Sequence, residues 1–317
     1  MSSDKDRIPT TGTRTQLAPS IKTFLSQNPT LHLGGREDFH AKRRHHLEVF
    51  GFHNLPREKQ APIGHVHFDG VRGRNGTIPV RLFYPRARIE PEKLAALIYF
   101  HGGGYTVDEF ENGLRLIAEE ANVITIGVEY RLAPEWSFPV QLYEYEDVLA
   151  WAQGSDGSKL GIDSKRVLGG GDSAGGNMTA AISLRLKDEN SEGRKGPRPL
   201  KAQILLYPEA RLPFDTPAAT DNNSGYYLEC NGIFSFAGHY LPRAPDKHYP
   251  PAHRYVSPGM QQVEDLNGLP PAAVFTCGFD PLRDVGVEYA SKLKDAGNHV
   301  VWHHYPELAH GFLQMAP

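Results

Sequence analysis

The stretch Arg166-Val167-Leu168-Gly169-Gly170-Gly171-Asp172-Ser173-Ala174-Gly175-Gly176-Asn177 decides how the chain is read. It opens on a short run that suits a strand and leads into Ala174–Leu186, whose apolar spacing suits a helix. Between them lies G-x-S-x-G, as Gly171-Asp172-Ser173-Ala174-Gly175. A serine at the apex of so sharp a turn takes a strained backbone conformation, and its flanking residues must be tiny to clear strand and helix. Its hydroxyl then stands at a helix N-terminus, where developing negative charge is favoured. The same residues also fit a dinucleotide fingerprint, Gly169-x-Gly171-x-x-Ala174. That motif wants an acid about 20 positions on, at the end of the next strand. Asp188, Glu189 and Glu192 instead lie in a polar loop before that strand, so a nucleophile is preferred over a nucleotide site.

Upstream, His101-Gly102-Gly103-Gly104-Tyr105 follows the apolar run Ala95–Phe100. Consecutive glycines after a strand let backbone N–H groups approach a ligand without Cβ interference, as the oxyanion of an acyl-transfer intermediate requires. A serine hydroxyl also needs a base, and the base an orienting carboxylate. Behind a nucleophile elbow these partners follow in the order acid, then histidine, at strand C-terminal ends. Asp280 follows Ala272–Thr276 and His310 follows Val300–Tyr305, as required. Asp284 is the rival acid, but it reads as the first turn of the next helix. His299, His303 and His304 belong to the last strand, where packing or solvent is the expected role.

From about residue 64 onward, strand-like runs alternate with helical ones. The runs are His65–Asp69, Val80–Tyr84, Ala95–Phe100, Val123–Tyr130, Arg166–Gly170, Ala202–Tyr207, Ala272–Thr276 and Val300–Tyr305. Helical patterns occupy Gly113–Ala121, Val140–Ala152, Ala174–Leu186 and Val285–Ala296. Such alternation predicts an α/β fold with a parallel sheet covered on both faces, after an antiparallel start. Two regions break the rhythm. Residues 1–55 are polar with scattered apolar positions and read as one or two helices with a loose tip. Residues 209–256 form an aromatic insertion with no strand pattern, better suited to a lid than to an idle loop. The expected division is a catalytic domain of residues 56–208 and 257–317, with 1–55 and 209–256 as a two-part cap. Phe24-Leu25 and Leu47–Phe52 are expected to pack against the insertion, over Ser173.

Composition narrows the function. The 317 residues carry 34 basic and 37 acidic side chains, a net −3, with no basic stripe of the kind nucleic-acid binding needs. The densest basic cluster, Lys42-Arg43-Arg44-His45-His46, reads as a solvated helix face. Two cysteines are too few for a disulfide framework, and reduced thiols suit a cytoplasmic setting. No run of about 18 apolar residues spans a membrane, and the N-terminus lacks the apolar core of a secretory signal. The 15 histidines show no H-E-x-x-H spacing, and His65-x-His67 is a weak metal signal, so neither metal nor cofactor is expected.

With HGGG at 101–104 and GDSAG at 171–175, the chain resembles the hormone-sensitive-lipase-like esterases of the α/β-hydrolase fold. The likeness extends through Tyr130-Arg131-Leu132-Ala133-Pro134-Glu135, Phe138-Pro139, Leu205-Leu206-Tyr207-Pro208, Asp280-Pro281-Leu282-Arg283-Asp284 and His310-Gly311-Phe312. It implies a mostly parallel eight-stranded sheet, a helical cap, and Ser173, His310 and Asp280 as nucleophile, base and acid. It implies oxyanion donors at the amides of Gly103, Gly104 and Ala174, with Gly102 able to replace one glycine. It also implies small-molecule carboxylic esters of short to medium chain as substrates, through an acyl-enzyme, and leaves a homodimer open. Two departures stand out: Thr106-Val107-Asp108-Glu109 places two acids near the mouth, and the insertion is unusually aromatic. Alternatives are a lactone-opening, cyclase or lyase enzyme using the same residues, and a silent small-molecule receptor, which would lack the histidine that His310 supplies.

Overall fold

The computed structural model describes residues 7–34, 38–107, 110–212, 214–244 and 247–315. Asp108 and Glu109, expected at the mouth, lie outside them, as do residues 1–6 of the segment expected to form one or two helices with a loose tip. Eight strands form one sheet: β1 (His65–Gly73), β2 (Gly76–Tyr84), β3 (Leu94–Phe100), β4 (Ile124–Val128), β5 (Ile162–Asp172), β6 (Gln203–Leu206), β7 (Ala272–Phe279) and β8 (Val300–Ala309). Their order is β1-β2-β4-β3-β5-β6-β7-β8. β1 and β2 form an antiparallel hairpin, β2 runs antiparallel to β4, and the remaining neighbours are parallel. Each strand run expected from the sequence overlaps a strand of this sheet.

Among the described residues ten α-helices accompany the sheet: α1 (Pro19–Gln27), α2 (Phe39–Phe50), α3 (Glu111–Ala121), α4 (Val140–Gln153), α5 (Ser155–Lys159), α6 (Ala174–Ser191), α7 (Pro217–Asp221), α8 (Cys230–Tyr240), α9 (Arg283–Asp295) and α10 (Phe312–Met315). The central strands are apolar nearly throughout because helices cover both faces. Along β3, Ala96, Ile98 and Phe100 join a core with Leu142 and Tyr145 of α4 and Met178 of α6. Leu97 and Tyr99 face the other way, toward Leu114 and Ala118 of α3. The phenyl ring of Phe100 stacks on Tyr145 with centroids 4.1 Å apart, anchoring the end of β3 beneath the site.

The N-terminal segment divides in two. Residues 8–18 run along the sheet domain: Ser291 Oγ donates to the Ile8 carbonyl at 3.0 Å, and the Gly12 amide to Asp284 Oδ1 at 3.0 Å. The Thr15 amide bonds the Pro306 carbonyl at 3.0 Å and the Ala18 amide that of Glu307 at 2.9 Å. From α1 onward the segment meets the insertion. Phe24 stacks on Phe50 at 5.6 Å, and Phe50 meets Tyr227 edge-on at 6.0 Å. The Leu33 amide bonds the Tyr227 carbonyl at 2.8 Å, and the Glu229 amide returns to Leu33 at 2.9 Å.

The basic cluster of α2 is not a solvated face. Lys42 and His46 are buried, in line with Phe50 at four-residue spacing. Arg43 donates to the Thr106 carbonyl at 2.6 Å and the Ala133 carbonyl at 2.9 Å, and grips Glu135 through both oxygens at 2.7 and 2.8 Å. This ion pair holds the Glu135 carboxyl down to about 2. The helix turns this side to the protein because Phe50 needs cover, and its cations find carbonyl and carboxylate partners there. Phe50→Ala should therefore cost roughly 3 kcal/mol of stability, read from urea unfolding. A change below about 0.5 kcal/mol, the size expected of a surface substitution, would mean that this contact does not fasten the cap.

Candidate active site

Four loops leave the C-terminal ends of parallel strands and converge: Gly102–Gly104 after β3, Ser173 after β5, Asp280 after β7 and His310 after β8. β3 lies between β4 and β5, where the order of connection reverses, the usual place for a ligand crevice in such sheets. Ser173 sits at φ 52°, ψ −117°. A non-glycine residue held there costs on the order of 1–3 kcal/mol and persists only where its surroundings over-determine it. Here the Ser173 amide donates to Leu206 O at 2.8 Å, and its carbonyl accepts from the amides of Asn177 at 3.0 Å and Glu209 at 3.2 Å. The flanking glycines are compulsory. A Cβ on Gly175 would lie 1.7 Å from the Phe100 carbonyl oxygen, and one on Gly171 2.4 Å from the Gly175 backbone.

The Ser173 hydroxyl and His310 Nε2 are 3.0 Å apart, and His310 Nδ1 lies 2.9 Å from Asp280 Oδ2. An Nδ1–H donating to the carboxylate leaves Nε2 free to accept from the serine. All three residues are buried. Asp280 Oδ1 accepts from the Leu282 amide at 2.8 Å, and Cys277 Sγ lies 3.5 Å from Oδ2. Burial, with Asp280 beside it, raises the Cys277 thiol well above its usual range, so it stays protonated and donates. The phenol ring of Tyr207 packs against the imidazole of His310 at 4.8 Å. Asp284 is engaged elsewhere: it accepts from Arg283 Nε at 2.7 Å and from the amides of Gly12 at 3.0 Å and Ala218 at 2.9 Å.

The glycine loop departs from expectation at one residue. The Gly102 amide donates to Asp172 Oδ1 at 2.8 Å, so it is not available to an oxyanion. Asp172 also accepts from Tyr99 OH at 2.8 Å and Gln314 Nε2 at 3.2 Å, tying β3, the elbow and α10 together. Gly103 and Gly104, at φ 86° and 59°, turn the chain beyond that bond. No hydrogen bond among the described residues engages their amides. The Ala174 amide, first in α6, has no partner within its helix.

A family profile described as alpha/beta hydrolase fold matches residues 97–314. The chain belongs to the hormone-sensitive-lipase-like esterase family of that fold. It is 34% identical over 254 residues to carboxylesterase NlhH of Mycobacterium tuberculosis, covering 79% of this chain and 75% of that protein. Esterase LipI of the same organism is 32% identical over 266 residues, covering 83% and 79%. A solved esterase of Pyrobaculum calidifontis superposes with a TM-score of 0.80 at 29% identity, over 94% of this chain and 92% of that one. No helix among the described residues of this family member is long and apolar enough to cross a membrane.

Three side chains around the site were not singled out as site residues in the sequence. Asp172 was visible only as the variable position of G-x-S-x-G. His46 reaches the site from the cap, and Glu209 follows β6. Glu209 is buried, and burial alone pushes its carboxyl up to about 8. It stands near the phenols of Tyr105 and Tyr240, whose rings stack at 3.7 Å and whose hydroxyls are buried without a hydrogen-bond partner among the described residues. Between its ordinary value of 4.5 and about 8, the folded chain keeps a proton that the unfolded chain has released. Stability attributable to Glu209 therefore falls as pH rises through that window, by up to about 1.4 kcal/mol per pH unit. Glu209→Gln should flatten the stability profile between pH 5 and 8 relative to wild type in urea titrations. Parallel profiles for the two proteins would show that the carboxyl ionises normally.

Proposed function

We propose that this protein hydrolyses carboxylic esters of short to medium chain through a Ser173 acyl-enzyme. The observation that carries this reading is the unbroken chain Ser173–His310–Asp280, buried and hydrogen-bonded at 3.0 and 2.9 Å beneath the glycine loop. Ser173 Oγ attacks the ester carbonyl while His310 Nε2 takes its proton. Asp280 holds the imidazole by Nδ1 and stabilises the imidazolium that forms. The developing oxyanion is received by the Gly103, Gly104 and Ala174 amides. The tetrahedral intermediate collapses, and the leaving alkoxide takes the proton from His310. Water then enters, loses a proton to His310, and repeats the sequence on the acyl-enzyme to release the acid and free Ser173.

A cavity of about 30 Å³ beside Gly102 and Gly103, lined also by Phe50, Val107 and Tyr227, supports short groups next to the reacting carbonyl. The contact between His310 and Ser173 favours catalysis over a silent receptor. No observation favours elimination or cyclisation over hydrolysis. A cytoplasmic location belongs to the same proposal, supported by Cys230 and Cys277 standing as free thiols.

Ser173→Ala, His310→Ala and the double variant should each lose about 10³-fold or more in kcat on p-nitrophenyl acetate, with similar losses because the groups act as a unit. A fluorophosphonate probe should label wild type and not Ser173→Ala; equal labelling would place the nucleophile elsewhere. Asp280→Asn should lower kcat far more than Asp284→Asn when both are compared per folded molecule. The reverse ranking would overturn the assignment of the acid.

A further inference from the structure

Resting on the esterase reading, we propose that His46 makes the cavity between α2 and the glycine loop a hydroxyl-recognition pocket, selecting esters that carry a hydroxyl close to the reacting carbonyl. Its imidazole would accept the hydrogen bond.

The cavity of about 30 Å³ is lined by His46, Phe50, Gly102, Gly103, Val107, Tyr227 and Gln314. It touches the loop that the mechanism assigns to the oxyanion, so a group placed in it lies near the reacting centre. Its volume suits one or two heavy atoms. Most of its walls are apolar, and several of its polar groups are already committed. Gln314 Nε2 donates to Asp172 at 3.2 Å, and Gln314 Oε1 accepts from Tyr207 OH at 3.2 Å. The Gly103 carbonyl accepts from the amides of Thr106 and Val107, each at 3.0 Å. The Gly102 carbonyl lies 3.0 Å from His101 Nδ1.

His46 differs. Its Nδ1 lies 2.8 Å from the Lys42 carbonyl, an oxygen that can only accept, so Nδ1 carries the proton. Burial pushes the imidazole down to about 4, so the ring is neutral at ordinary pH and Nε2 bears a lone pair. That Nε2 is buried with no hydrogen-bond partner among the described residues. The ring is held by Phe50 and Tyr227, at 6.1 and 5.8 Å between centroids, and cannot leave without breaking the joint between the two cap segments. A fixed, neutral acceptor in a small apolar pocket selects a hydroxyl over a methyl, because the methyl leaves the acceptor unpaired. A charged amine is disfavoured there, since none of the described lining residues offers it an anion.

The hydroxyl could sit on either side of the ester, and two matched pairs separate the sources: methyl 3-hydroxybutyrate against methyl 3-methylbutyrate, and 2-hydroxyethyl acetate against propyl acetate. The quantity read is the ratio of kcat/KM within each pair. Wild type should favour the hydroxylated member of one pair by about tenfold. His46→Phe, which keeps a ring but has no acceptor, should bring that ratio close to one. His46→Gln, whose carbonyl can replace Nε2, should restore part of it, and this separates acceptance from mere filling of the space. A wild-type ratio near one in both pairs would mean that the cavity holds only water, and the proposal would fall. So would an unchanged preference in His46→Phe. Turnover of the plain esters by wild type, and its loss in Ser173→Ala, tests the esterase reading separately.

Discussion

Gly175 passes so close to the Phe100 carbonyl that a methyl carbon there would overlap it, and this contact between β3 and the start of α6 sets the geometry around it. It draws the serine turn onto the end of the strand that carries the glycine loop. Ser173 and the amides of Gly103 and Gly104 are thereby brought to one place by backbone alone, before any side chain is considered. The strain that this imposes at Ser173 is held by bonds from neighbouring strands and loops, to Leu206 and from Glu209. Phe100, stacked between Tyr130 at 5.2 Å and Tyr145 at 4.1 Å, supplies the rigid floor. A preorganised oxyanion site needs such rigidity, because its donors act only if they do not have to reorganise as charge develops.

Four buried acids surround this point, and their partners give them four different roles. Asp172 spends its oxygens on Tyr99, Gly102 and Gln314, and so serves as a strut. Asp284 is neutralised by Arg283 and pins the N-terminal segment through Gly12. Among the described residues the Asp280 carboxylate meets, besides His310, only the Cys277 thiol and the Leu282 amide, which leaves its charge directed at the imidazole. Glu209 has no cation beside it among the described residues, and burial keeps its proton on. Position in the chain does not distinguish these carboxyls. The distinction lies in what each finds within hydrogen-bond distance, in the way that environment separates paired carboxylates in other enzymes.

The strand pattern, the elbow and the placement of Asp280 and His310 were legible because each rests on a local rule. Continuous apolar runs mark buried parallel strands, tiny residues mark the turn, and the order acid then histidine follows from strand order. What the sequence did not reveal depends on partners far away in the chain. The loss of Gly102 as an oxyanion donor follows from one oxygen of Asp172, 70 residues on. The burial of Lys42 and His46 follows from the direction in which α2 faces, and five consecutive basic or histidine residues conceal it. The four-residue line Lys42, His46, Phe50 was the available signal, since a phenylalanine at its end needs a core to enter. Likewise, residues 8–18 lie along β8 and α9 because their backbone groups meet those of Pro306 and Glu307 and the side chains of Ser291 and Asp284, partners at the far end of the chain.

Helices α2 and α8, expected to belong to a cap, meet the glycine loop from two sides, and this bears on how specificity can reach the chemistry. On one side Arg43 of α2 donates to the Thr106 carbonyl, while the Thr106 amide bonds Gly103 at 3.0 Å. On the other, Tyr240 of α8 stacks on Tyr105, and Phe236 lies where a Cβ on Gly104 would collide with its ring. The residues whose amides are proposed to receive the oxyanion are therefore braced by α2 and α8. A lid that only covered a pocket would add binding equally to ground state and transition state, and would leave kcat unchanged. A cap that braces the donors couples occupancy of its own pocket to their alignment, so a well-fitted substrate gains where the charge develops. The aromatic content of the insertion fits that demand. Stacked rings transmit position with little loss of freedom, whereas flexible aliphatic chains would absorb it.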